Sequence, residues 1–187
     1  MLCWSAFPLV PALGSTASAA GVPQDYAQAV GWFHKAAEQG EAEAQSSLGF
    51  MYDNGLGVRP DDAEALAWYR KAAKQGDTEG QFNLAQMYHE GQGVPQDYAQ
   101  AVEWFLKAAE QGTPKAQLNL GVMYGLGQGV PRDYVQAHMW INLASASKQL
   151  DAVDHGKAVQ ARDAAAANMT PAQIAEAQRL ASEWKPK

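Results

Sequence analysis

Apolar side chains between residues 61 and 90 fall into two helical stripes. Leu66, Tyr69 and Ala73 form one, and Ala65, Trp68 and Ala72 form another beside it. A helix lying on a protein surface needs one apolar stripe, whereas two adjacent stripes demand cover on two sides. The stretch also has the ends of a helix. Asp61 follows Pro60 where a capping carboxylate belongs. Lys74 and Gln75 close it, and Gly76 supplies the left-handed residue after the last turn. A second helix is predicted from about Thr78 to His89, with Phe82, Ala85 and Tyr88, or Leu84 and Met87, as its apolar set. Gly91-Gln92-Gly93-Val94-Pro95 then stops it. The glycines admit positive φ, and a proline cannot continue the helix it follows. No strand-like alternation appears anywhere in the chain.

The same pattern recurs every 36 residues. "GVPQDYAQAV" is written at 21–30 and again at 93–102, and related starts stand at Gly57 and Gly129. In phase with them come Trp32, Trp68, Trp104 and Trp140; Lys35, Lys71 and Lys107; and Gln39, Gln75 and Gln111, each before a glycine. Gln45, Gln81 and Gln117 recur too, as do Leu48, Leu84 and Leu120, and a Met-Tyr pair at 51, 87 and 123. A period in this range is the signature of a solenoid, in which each unit packs mainly on its neighbours. The predicted unit is therefore a pair of antiparallel helices joined by short loops. The tryptophans are expected to form a buried ladder along the array. Ala85 stands where other units have Gly49 and Gly121, which predicts that two helix backbones approach closely there.

Both ends depart from the repeat. Residues 1–20 are mostly apolar up to Leu13, with Pro8 and Pro11 interrupting, and Ala17-Ser18-Ala19 has the small-x-small form of a signal cleavage site. No Lys or Arg precedes Lys35. Two readings stand: an export signal, which would carry the protein to the periplasm or outside rather than leave it in the cytoplasm, or the remnant of an earlier repeat. After Trp140 the repeat fades. Asp151 can cap an alanine-rich helix to about Asn168, and Thr170-Pro171-Ala172-Gln173 is a capping box opening a last helix to about Glu183. The chain thus divides into a leader (1–20), a repeat array (21–147) and capping helices (148–187).

Charge and composition narrow the function. A net charge of −6 disfavours nucleic acid, which needs a basic face. No apolar run approaches the roughly 20 residues of a membrane span. Cys3 is the single cysteine, and His34, His89, His138 and His155 are scattered, so no metal-ligand spacing appears and no metal or cofactor is expected.

Ala44-Gln45-Ser46-Ser47-Leu48-Gly49-Phe50-Met51-Tyr52, then Gly55-Leu56-Gly57-Val58, Asp61, Ala65, Trp68, Lys71-Ala72-Ala73 and Gly76 resemble the pattern of the Sel-one-like repeat family, a relative of the tetratricopeptide repeats. The resemblance covers about residues 21–147. It implies an all-α fold, an α/α solenoid of 36-residue helix-turn-helix units with a C-terminal helical cap. It takes the AxxxLGxMY helix as the first of each pair, so Asp25 to Gln39 becomes a second helix without its own first. "MTPAQIAEAQRLASEW" looks like the cap of bacterial members.

The resemblance also implies where function would lie. In tetratricopeptide-like arrays the first helices line a concave face that takes a peptide or a partner helix. Here those positions are Ser46, Phe50 and Asp53; Phe82, Gln86 and His89; and Leu118, Val122 and Leu126. The expected function is a non-catalytic adaptor for a protein or peptide partner in a bacterial signalling, envelope or secretion assembly. The competing reading of Phe82 and Leu118 is that they pack between helices. Catalysis has one candidate. Some family members are described as β-lactamase-like, and Ser145-Ala146-Ser147-Lys148 has the S-x-x-K form. Its companion motifs S-D-N and K-T-G are absent, and those members are cysteine-rich where this chain is not. A spacer without a discrete ligand is the third reading. Asp53, Asp61 and Asp62 read as a solvated helix start, and His138, at the place of Leu66 and Val102, as a core histidine.

Overall fold

The computed structural model describes residues 22–187, with side chains from Tyr26 onward. The described residues form helices only. They are α1 (Val22–Glu38), α2 (Ala42–Asn54), α3 (Asp62–Lys74), α4 (Thr78–Glu90), α5 (Tyr98–Glu110), α6 (Pro114–Leu126), α7 (Tyr134–Ala146), α8 (Ala152–Ala166) and α9 (Pro171–Glu183). The leader and Cys3 lie outside the described residues.

Each repeat boundary is built by the same few interactions. Asp61, Asp97 and Asp133 cap α3, α5 and α7, each carboxylate accepting two backbone N–H groups from the first turn. Asp77 caps α4, Asp151 caps α8, and Thr170 with Gln173 forms the capping box of α9. Helix α1 begins at Val22, ahead of the expected Asp25, and so is longer than its counterparts.

The repeated glutamines form a buried relay between units. Gln45, Gln81 and Gln117 are each about 95% buried, and their amides donate to the carbonyls of Ala37, Ala73 and Ala109 at 3.0, 3.4 and 3.2 Å. Gln75 in turn donates to the Gln45 carbonyl, and Gln111 to that of Gln81, both at 2.8 Å. The relay satisfies helix-end carbonyls that burial would otherwise orphan. It ends in the fourth unit because Ser147 stands where a glutamine is needed.

Two expectations need correction. The tryptophans are not uniformly buried: Trp68 and Trp140 are 6% and 5% exposed, Trp104 is partly buried, and Trp32 is 69% exposed. Trp68 lies on Ala37 of α1 and on Ala44 and Leu48 of α2, and no helix precedes α1 to cover Trp32 among the described residues. The second correction concerns Gly49. At Gly49 the neighbour is a ring rather than a backbone, since an added Cβ would stand 2.7 Å from the Tyr69 side chain. At Gly121 it would stand 2.5 Å from Ile141 Cγ1 and 2.9 Å from the Ala137 carbonyl. At Gly121 a backbone therefore does approach as expected, whereas at Gly49 the small residue is set by the ring opposite.

The far end is closed. Helices α8 and α9 both pack on α7. The Trp184 ring meets Trp140 edge-on at 6.2 Å. Lys187 joins Glu110 through its backbone N–H at 2.8 Å and its ammonium at 2.7 Å. An aromatic edge contact of this kind adds roughly 0.5–1.5 kcal/mol beyond burial.

Candidate functional site

The first helices α2, α4 and α6 present equivalent faces, and the expected site residues divide there by depth. Ser46, Phe82 and Leu118 are 5%, 6% and 7% exposed. The Ser46 hydroxyl donates to the Glu43 carbonyl at 3.0 Å. The Phe82 ring lies 5.7 Å from that of Phe105 on α5, and Leu118 packs with Ile141 of α7 and Ala158 of α8. Phe82 and Leu118 hold helices together, while Ser46 is turned back onto its own helix. One turn further on, Phe50, Gln86 and Val122 are half-buried, as are Asp53 and His89, and Leu126 is 56% exposed.

Sequence reasoning missed the outer neighbours of this row. Ser47, Asn83 and Asn119 stand at the same place in the three helices and are half-buried. Spacing of three puts each on the face of Phe50, Gln86 and Val122. Asn119 and Val122 line a groove between α6 and α8 together with Leu118, Lys157, Gln160 and Ala161. Its floor is apolar, with amides and one ammonium group around it. The signal was present in the sequence as a polar position in phase with the repeat. What hid it was the choice of the Ser46 row, one helical position inward, as the exposed one.

Electrostatics differ along this face. The Gln92 amide donates to Asp53 at 2.9 Å and to Asp62 at 3.3 Å, so two carboxylates share one donor. Burial first, and then the Asp62 charge, push the Asp53 carboxyl above its ordinary range. The His89 ring sits 5.3 Å from Tyr98. In the last unit Lys157 reaches Asp154 at 3.2 Å, and Lys115 lies 3.8 Å from the same carboxylate.

The residues considered for chemistry do not assemble. Ser145 donates to the Asn142 carbonyl at 3.0 Å, a back-bond within its own helix. Lys148 is exposed in the turn just after the end of α7. No group of three metal-ligating side chains occurs among the described residues. Among them no helix is long and apolar enough to cross a membrane.

His138 is 4% exposed, and its Nδ1 has no hydrogen-bond partner. Burial first, and then Arg162, lower its pKa from 6.5. The unfolded chain therefore takes up a proton near pH 6.5 that the folded one refuses, and stability falls as pH drops below that value. His138→Leu restores the residue type at the matching position 66. We expect the variant to melt a few degrees higher. We also expect its stability to fall less between pH 7 and 5 than that of the unsubstituted chain. Thermal melts across this range check both.

The sequence profile of the Sel1 repeat matches residues 13–41, 42–77, 78–113 and 114–148. No curated protein matches the chain. Among solved structures, a protective antigen with an SLR fold from uropathogenic Escherichia coli is 31% identical, over 83% of this chain and 40% of its own, with a TM-score of 0.61. A Sel1 repeat protein from Oxalobacter formigenes is 29% identical, over 85% of this chain and 65% of its own, with a TM-score of 0.66. Cysteine rich protein B of Helicobacter pylori is 24% identical over 68% of this chain and 92% of its own, with a TM-score of 0.54, a likeness of fold alone. The chain thus spans 40% and 65% of the length of the first two proteins.

Proposed function

The chain belongs to the Sel1 repeat family, and from that premise we propose that it is a non-catalytic scaffold holding a protein or peptide partner on the concave face formed by its first helices. Sel1 repeat proteins mediate protein–protein interaction. One observation carries the reading. Several positions that hold the units together repeat unchanged, as with Leu48, Leu84 and Leu120 and with Gln45, Gln81 and Gln117, while the half-buried row beside them changes from Phe50 to Gln86 to Val122. A fixed frame with a varied surface is how a repeat array acquires a specific partner. The contact surface comprises Phe50, Asp53, Gln86, His89, Val122 and Leu126, with Ser47, Asn83 and Asn119 between them. Ser46, Phe82 and Leu118 support it from below. The groove at Asn119 and Val122 accepts an apolar anchor, and the amides can pair with a peptide backbone. The setting is a bacterial signalling, envelope or secretion assembly, in line with the antigen from Escherichia coli among the similar structures.

Affinity capture with the full chain tests this. A partner retained from bacterial lysate or envelope extract should bind at least ~10-fold more weakly to the Gln86→Glu/Val122→Glu variant, whose helical content is unchanged. Undiminished capture by that variant removes the concave face from the account. Nitrocefin turnover abolished by Ser145→Ala would overturn the non-catalytic reading.

A further inference from the structure

Three positions in the repeat at 42–77 break the pattern of the other units, and all three come together. Tyr69 stands where the other units have Phe33, Phe105 and Ile141. Asp62 replaces a tyrosine, matched by Tyr26, Tyr98 and Tyr134. Asp53 is matched by His89 and Gly125. The Gln92 amide joins the two carboxylates, donating to Asp53 at 2.9 Å and to Asp62 at 3.3 Å. Tyr69 reaches the same place from within the array. Its ring lies against Gly49, and Asp53 follows one turn later on the same face of α2.

The Tyr69 side chain is 0% exposed, and its hydroxyl completes no hydrogen bond of ordinary geometry. Burial first, and then the Asp53 charge, push the hydroxyl pKa well above 10, so it stays a neutral donor beside that carboxylate. An unsatisfied buried hydroxyl costs stability. The repeat frame does not require it, because positions 33 and 105 fold with phenylalanine. Charge points the same way. Glu90, exposed at the end of α4, adds a third negative charge within reach of Asp53. None of the ion pairs among the described residues involves Asp53, Asp62 or Glu90. The residues ahead of Tyr26 contain no Lys or Arg. Carboxylates held together without a counter-charge repel, and a cation placed between them is attracted by each.

We propose that this cluster is the subsite for a basic side chain of the partner, an arginine or lysine carried on a linear peptide segment. The proposal rests on the concave-face reading above and adds the chemistry of what that face selects. A guanidinium has several N–H donors in one plane, so it can bridge Asp53 and Asp62 as the Gln92 amide does, with a full charge in place of a dipole. Along the face this sets a cation site at the end of α2 and an apolar groove at Leu118 and Val122 on α6.

Panning a phage-displayed library of random peptides, about 16 residues long, on the full chain tests this. Retained peptides should carry Arg or Lys at a fixed place relative to an apolar residue. A synthetic copy of one should bind Asp53→Asn/Asp62→Asn at least ~10-fold more weakly, with unchanged helical circular dichroism. A copy with alanine in place of the basic residue should lose as much on the unaltered protein. The two changes together should lose no more than either alone, the mark of direct pairing. Losses that multiply would place the cation elsewhere and overturn the proposal. So would retained peptides without a basic preference, or a library from which nothing is retained. Tyr69→Phe should melt no lower than the unaltered chain; a lower melt would make the hydroxyl part of the frame and overturn the proposal too. Peptides lost to Gln86→Glu/Val122→Glu but indifferent to Asp53→Asn/Asp62→Asn would remove this subsite and leave the concave face standing.

Discussion

Phe105→Ala is expected to destabilise the fold by about 4 kcal/mol, the usual cost of emptying a buried phenylalanine site. The ring is 1% exposed and lies at the centre of the largest cluster. It fills the space opposite Ala85 and contacts Phe82, and so joins the α4 and α5 helices. Ala101, Ala108 and Ala109 of the same cluster have side chains too short to fill the void. For a chain of this size the loss corresponds to a melting temperature lower by roughly 8–16 °C. Phe105→Leu keeps most of the volume and should cost under about 1.5 kcal/mol. Urea and thermal melts of the two variants side by side check the order. A loss below about 1 kcal/mol for Phe105→Ala would mean that this junction contributes little to the array.

Gly93→Ala should come next, at about 3 kcal/mol. Two effects add. The residue has φ +65°, which costs an L side chain about 1–2 kcal/mol. A Cβ would also stand 2.7 Å from the Asp62 carbonyl oxygen and 2.9 Å from its carbon, so the start of α3 would have to move. Gly57 and Gly129 meet the backbone of Tyr26 and Tyr98 in the same way, which is why the loop writes glycine at this point in each unit. Gly91 separates the two effects. Its φ is +74°, but the nearest atoms to its Cβ are those of Gln96 at 3.2 Å. Gly91→Ala should therefore cost only the conformational part, about 1–2 kcal/mol. Equal losses for the two variants, measured by urea unfolding, would remove the close packing of Gly93 on α3 from the account.

Much of this architecture was legible because the chain writes it four times. Caps, helix lengths and loop glycines are local, and the repeat confirms each by restating it. What one chain could not reveal was set by neighbours. Gln45 and Gln75 are 30 residues apart, out of phase with the 36-residue period, so their hydrogen bond is invisible until the units are stacked. Trp32 and Trp68 stand at the same place in the repeat, but Trp68 is covered by α1 and α2 and is 6% exposed, whereas no helix precedes α1 among the described residues and Trp32 is 69% exposed. The same holds for the candidate site. Phe82 and Gln86 share a helix face, but Phe82 is 6% exposed against the Phe105 ring and Gln86 is half-buried. Spacing shows which residues share a helix face, but depth depends on the helix packed opposite.

The central claim is that one face of the array holds a protein partner. The most direct measurement places a photo-crosslinking side chain at positions 47, 86 and 122 in turn. Positions 67 and 103, exposed on the second helices, serve as controls. Irradiation in bacterial extract should attach one and the same protein at all three first-helix positions and at neither control. Crosslinks of equal strength from both sets, or from positions 67 and 103 alone, would contradict the account and put the partner on the other face.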